Sequence, residues 1–268
     1  NAAVGVWSLS NNTTGAFNTG LGGEALFANT TGGYNTGVGE GALYSNTTAS
    51  NNTALGYQAS YTNATGTPNT AVGYQALYAN VASNNDAFGY QTLDSNTTGN
   101  ANAAFGTQAL QANTTGVSNI ASGYQSLYSN TSGTQNTATG YVSLFSNTTA
   151  SNNTATGIRS LYTNTIGADN TALGGRSLYL NTTGSNNIAV GYQSLNENTT
   201  GGNNTASGNQ SLYNNTTASN NTAVGYQASY SNTIGSPNVA LGYKALYANT
   251  TGNNNVGVGE TAITSNTT

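Results

Sequence analysis

Asn69-Thr70-Ala71-Val72-Gly73-Tyr74-Gln75-Ala76-Leu77-Tyr78-Ala79-Asn80 decides the fold, because close variants of this stretch fill the whole chain. Outward from Gly73, the same glycine recurs at Gly56, Gly39, Gly22 and Gly5 on one side. On the other side it recurs at Gly89, Gly106, Gly123 and so on to Gly259. Every interval is 17 residues except the 16 between Gly73 and Gly89, which gives sixteen copies. A fixed period of this kind marks a stack of like units. With the glycine as position 0, the consensus N-T-A-V-G-Y-Q-A-L-Y-S-N-T-T-G-x-N runs from −4 to +12.

Three positions never vary. One is the glycine, as in Gly56, Gly73 and Gly89. The second is the Asn at −4, as in Asn52, Asn69 and Asn85. The third is the Asn at +7, as in Asn12, Asn29, Asn46, Asn63, Asn80 and Asn96. Position −2 is only Ala or Gly, and +3 is Ala or Ser apart from Thr92. Position +4 is Leu in thirteen copies, with Ser60, Ser229 and Ile263 in the others.

A helix needs apolar residues at 3.6 spacing and disfavours Gly, Asn and Thr runs. The expected fold is therefore all-β: a parallel β-solenoid (β-helix or β-roll) of sixteen coils, read as one continuous array over 1–268. Each coil should hold two short strands and two turns, stacked at the strand spacing of about 4.8 Å. The apolar residues at −1 and +4 are expected inside, with the small residues at −2 and +3 letting the walls close. The two invariant Asn are expected at corners, hydrogen-bonding as ladders from coil to coil. The residue missing between Gly73 and Gly89 is expected in the outer turn at Ser83-Asn84-Asn85. Neither end reads as a capping repeat, so the array is expected to continue beyond this segment or to stack end to end.

Composition narrows the function. The 268 residues include three Lys or Arg and seven Asp or Glu, 4% charged, against about 25% in ordinary soluble proteins. With no Cys and no His, disulfides, His or Cys metal sites and Ser-His-Asp or Cys-His nucleophile pairs are excluded. Three cations at net charge −4 give no basis for nucleic-acid binding. No apolar run in this segment is long enough for a membrane span, and no signal peptide is visible in it, so neither is expected within these residues. The acids form no paired column, so no acid/base dyad is encoded. No copy carries an exceptional cluster, and neither a catalytic residue, a metal site nor a cofactor is expected.

The Asn-Thr-Thr step at +7 to +9 matches the N-glycosylation pattern in thirteen copies and loses it at Asn80, Asn164 and Asn232, where the Asn persists. That persistence favours a ladder role for the Asn. The Thr at +8 is the expected site of covalent O-linked sugar: Thr13, Thr30, Thr47, Thr97, Thr114, Thr131, Thr148, Thr165, Thr182, Thr199, Thr216, Thr233 and Thr250. A glycan coat would supply the solubility that so few charges cannot. A Thr row also resembles an ice-binding face, but adjacent Thr in an extended segment point to opposite sides. Tyr recurs at +1 (Tyr57, Tyr74, Tyr90) and +5 (Tyr44, Tyr61, Tyr78), as structural stacks or as a stripe for sugar or chain packing.

The Asn69-Thr70-Ala71-Val72-Gly73 core followed by Tyr74-Gln75-Ala76 resembles the head repeat of trimeric autotransporter adhesins. That resemblance implies a parallel β-roll, association of three chains, and adhesion to host matrix or other cells. The family repeat is shorter and lacks the N-T-T-G turn. Arrays rich in N-T-T-G also look like bacterial surface fibres. The expected function is a structural extracellular or cell-surface fibre or matrix filament, assembled from copies of itself and glycosylated on the outer turns. The alternatives are an adhesin head binding carbohydrate or host matrix, and an ice-binding solenoid.

Overall fold

The computed structural model describes residues 1–267. Among them the chain is all-β, with one strand of three or four residues in each of sixteen coils. The coils belong to two compact units, Asn1–Gln135 and a second that begins at Asn136. In the first, the strands run from Ala2–Val4 to Ile120–Ser122, and each pairs in parallel with the strand of the next coil. Equivalent residues face each other: Thr53 opposite Thr70, Ala54 opposite Ala71, Leu55 opposite Val72. In the second, the strands run from Thr137–Thr139 to Val256–Val258 with the same register, Thr222 opposite Val239 and Ala223 opposite Ala240. Each unit is a β-solenoid.

The expected second strand is absent from every described coil, and its place is taken by a turn. Position 0 has a positive φ, and so do +2 and +4: in one coil Gly56 at 139°, Gln58 at 50° and Ser60 at 53°. Alternating left-handed residues cannot be extended, so no strand forms. The turn still stacks. Glu24 N–H donates back to Val6 at 2.8 Å, while Leu26 and Ala28 donate forward to Ala42 and Tyr44 at 2.9 Å. Coil-to-coil hydrogen bonding thus continues around the section without regular strand geometry.

The invariant glycine marks where this turn begins. A Cβ on Gly56 would lie 2.4 Å from the carbonyl oxygen of Gly73, and its φ is one that L side chains rarely adopt. Leu at +4 is left-handed too, Leu43 at 55° and Leu77 at 53°. Such a conformation costs a non-glycine residue about 1–2 kcal/mol. Full burial of Leu returns about 1.5–3 kcal/mol, and both side chains are completely buried. The left-handed angle is what turns the Leu inward, so cost and gain come from one geometry.

The core differs from expectation at −1. Val4, Leu55 and Phe105 are 66%, 47% and 43% exposed, whereas Ala54, Ala71 and Ala104 beside them are fully buried. A strand alternates its faces, and only the small −2 side chain fits the narrow interior. The interior consists of −2, +3, +4 and both invariant Asn. These Asn are not at left-handed corners. The left-handed Asn is the variable one at +12, as in Asn51 and Asn152, both with φ 61°.

The missing residue also sits elsewhere than at 83–85. Asn80 Nδ2 reaches the carbonyl of Ala82 at 2.8 Å, two residues on, where Asn63 Nδ2 reaches Gly66, three residues on, at 2.9 Å. Ala82 therefore fills +10, and the deleted position is the outward +9. The inner hydrogen bond keeps its partner, and the strand pairing there gains Asn69 opposite Asn85.

Candidate functional site

The invariant Asn form two buried ladders. At +7, Asn46 Nδ2 donates to Asn29 Oδ1 in the preceding coil at 2.8 Å and to the Ala49 carbonyl of its own turn at 3.1 Å. In the second unit, Asn181 does the same with Asn164 Oδ1 at 2.8 Å and the Gly184 carbonyl at 2.9 Å. At −4, Asn35 N–H donates to Asn18 Oδ1 at 2.9 Å, and Asn35 Nδ2 donates to Ala49 O at 2.8 Å. The +10 carbonyl thus accepts from both ladders of one coil. Only a side chain with a donor and an acceptor on one planar group can do this. Buried amides are as a rule paired, and apart from the buried Asn52 Oδ1 and Asn221 Nδ2, which lack a partner, the ladders follow it, a reason for both Asn to recur.

The +7 amide nitrogen that N-glycosylation would modify is therefore inside the solenoid. Asn12 and Asn266, in the end coils, are partly exposed, whereas Asn29, Asn46, Asn63, Asn80 and Asn96 are buried.

The Thr at +8 forms a third ladder with the opposite polarity. Thr30 Oγ1 donates to the Thr47 carbonyl in the following coil at 3.1 Å, and Thr47 Oγ1 donates to Ala64 O at 3.1 Å. Thr114, Thr182, Thr199 and Thr233 repeat the contact with Thr131, Thr199, Thr216 and Thr250 at 3.0 Å. Most +8 side chains are half-buried, with Thr13, Thr97 and Thr267 exposed. The Thr at +9 points out to solvent, as at Thr31, Thr48 and Thr65. The two Thr of each step accordingly sit in different surroundings.

The Tyr columns are stacks. Phe27, Tyr44, Tyr61 and Tyr78 follow one another at centroid distances of 5.0, 4.8 and 5.3 Å, with planes within 9°. Tyr57, Tyr74 and Tyr90 stack at 5.2 Å. Ring faces in these columns cover each other, leaving edges and hydroxyls toward solvent. Burial pushes the Tyr61 hydroxyl above its ordinary range, and the Tyr44 and Tyr78 phenols add to the shift. Burial also raises Tyr213, with the Glu197 carboxylate next in effect. At +5 the stack is interrupted by Asp94, whose carboxyl burial pushes above the usual carboxylate range.

A Gln ladder at +2 escaped the sequence reading. Gln75 Nε2 donates to Gln58 Oε1 at 3.1 Å, and Gln227 to Gln210 at 2.8 Å. Its signal was the recurrence of Gln at +2. Two of the three cations lie against the aromatic columns, Arg176 5.7 Å from the Tyr179 ring centre and Lys244 5.2 Å from that of Tyr247.

Among the described residues there is no enclosed pocket and no group of three or more acidic, His or Cys side chains placed to hold a metal. No helix among them is long and apolar enough to cross a membrane. Comparison with protein-family models, with curated proteins and with solved structures finds no match to this chain.

Proposed function

We propose that this chain is a structural protein of an extracellular or cell-surface fibre, assembled from copies of itself and carrying sugar on its outer turns. The supporting observation is where the recurrent polar side chains direct their hydrogen bonds. Asn at −4, Asn at +7, Thr at +8 and Gln at +2 all bond to the neighbouring coil. Each coil presents donors and acceptors on both sides, matched to those of the coils above and below it. Units of this kind add head to tail without any change in chemistry, the arrangement that generates filaments when it does not close. The low charge and the resemblance of the Asn69–Ala76 core to adhesin head repeats support placement outside the cell.

Cryo-electron microscopy of the native material tests this reading. Long unbranched filaments with an axial repeat of about 4.8 Å are expected. Discrete particles one chain long at every concentration would overturn it.

The exposed side chains of the first unit favour a second reading, an adhesin head. Leu55, Tyr57, Tyr74, Phe88, Tyr90 and Phe105 lie exposed at −1 and +1, and contiguous apolar surface marks interaction sites. Because the Tyr rings stack on one another, contact there would use ring edges and hydroxyls. Saturable binding to matrix protein or glycan, lost in Leu55→Ser with Tyr74→Ser, is the outcome that would favour this reading.

A further inference from the structure

We propose that the outer threonine of the turn, at +9, is the attachment point for O-linked sugar, with Thr48, Thr65, Thr98, Thr115, Thr183 and Thr200 as representative sites. This rests on the glycan-coated fibre proposed above and assigns its modified atom.

The two hydroxyls of the Thr-Thr step differ in use. The +8 hydroxyl is engaged by the fold in the coils that carry it, since it donates to the next coil's carbonyl at 2.9 Å from Thr97 and 3.0 Å from Thr199, although Ala64 and Val81 lack it. Substituting that oxygen removes the donor. The +9 hydroxyls have no comparable partner: among the described residues only Thr251 donates, to the Thr267 carbonyl at a long 3.5 Å. Their backbone is nonetheless held, with Thr31 N–H on the Thr47 carbonyl and Thr200 N–H on the Thr216 carbonyl. The result is a fixed turn that presents a free hydroxyl outward.

The fold does not need a hydroxyl at +9. Ile166 and Ile234 occupy it in two coils, each 57% exposed, and one coil lacks the residue altogether. Every other described coil retains Thr or, at Ser132, Ser. The outward Thr at −3 do not pose the same question. They lie in strands, where β-branched residues are preferred, and Ile188, Val239 and Ala103 replace them freely.

In the transfer, Thr Oγ1 attacks the anomeric carbon of a phosphate-activated sugar, a nucleotide or lipid-phosphate donor. The new carbon–oxygen bond forms as the bond from that carbon to the donor phosphate breaks. The phosphate leaves with the electron pair, and the hydroxyl proton passes to a base of the transferase. Neighbouring sites within a unit are one strand spacing apart, about 4.8 Å, so the sugars stand in single file along the turn.

The sequence contains its own control. The turns Asn164-Thr165-Ile166-Gly167 and Asn232-Thr233-Ile234-Gly235 keep the +8 Thr and lack the +9 hydroxyl. Mass spectrometry of native material, with fragmentation that preserves the sugar, should place hexose-type mass on Thr48, Thr183 and Thr200 and leave Thr165 and Thr233 bare. Sugar on Thr165 and Thr233 would overturn the +9 assignment and leave the coat standing. Protein mass with no addition anywhere would overturn the coat and the assignment together.

Discussion

Asn113 Nδ2 lies 2.7 Å from Asn96 Oδ1 and 3.0 Å from the Gly116 carbonyl, so one buried amide holds its own turn and the preceding coil together. Asn130 Nδ2 in turn reaches Asn113 Oδ1 at 2.8 Å. Asn113→Ala leaves three buried polar partners one bond short; the Gly116 carbonyl keeps Asn102 Nδ2 and Asn130 Nδ2 keeps the Gly133 carbonyl, so the main loss is the unsatisfied Asn96 Oδ1, about 1–3 kcal/mol. Hydrogen exchange should show local opening centred on that coil, with a loss of several-fold to a hundred-fold in protection. Unchanged protection would refute the ladder as a source of stability.

Gly56→Ala tests the turn glycine. The added Cβ would meet the Gly73 oxygen at 2.4 Å, at φ 139°. Strain of about 1–3 kcal/mol plus the clash should lower the melting temperature sharply. Gly175→Tyr is the contrasting change, because a Cβ there meets only side-chain atoms, Ile158 Cγ2 at 3.3 Å and Tyr192 Cδ2 at 3.4 Å. Thermal melts should show the first variant strongly destabilised and the second close to the parent.

Ser60 breaks the Leu column between Leu43 and Leu77, and its buried Oγ has no partner; Ser229 repeats the defect. Ser60→Leu restores the apolar column and removes the orphan hydroxyl. A gain of about 2 kcal/mol is expected from the buried surface, read as a raised denaturation midpoint. A lowered midpoint would mean that the coil has closed around the serine.

The half-buried Asp94 carboxyl has its folded pKa raised by desolvation. A raised pKa favours the protonated form in the folded state. The stability this contributes is fully present below the ordinary carboxylate pKa and is lost as pH rises through the folded value. Asp94→Asn should therefore melt higher than the parent at neutral pH, with the difference shrinking in acid. A pH-independent difference would contradict this account.

The two Thr of one step should respond differently. Thr199→Val removes the 3.0 Å bond to the Thr216 carbonyl and should cost about 0.5–1.5 kcal/mol. Thr200→Val removes an outward hydroxyl and should leave the midpoint of the unmodified chain unchanged. Equal losses in paired denaturation curves would show that both hydroxyls serve the fold.

The 17-residue period by itself determined that like residues stack on like, because any coil shape with that period brings them together. The solenoid class, the Asn ladders at −4 and +7, the aromatic columns and the need for glycine at 0 were legible on that ground. Which way each residue faces was decided only in three dimensions. Leu43 turns inward and Leu55 outward although both are leucine, because Leu43 is left-handed and Leu55 lies on the outer side of a strand. Gln58 and Leu43 carry no sequence signal for a positive φ, unlike Asn or Gly. The single strand per coil and the inward Asn followed from those angles. So did the distinction between the bonded +8 hydroxyl and the free one at +9. A repeat specifies neighbours along the stack, whereas the path of the backbone within one coil sets inside and outside.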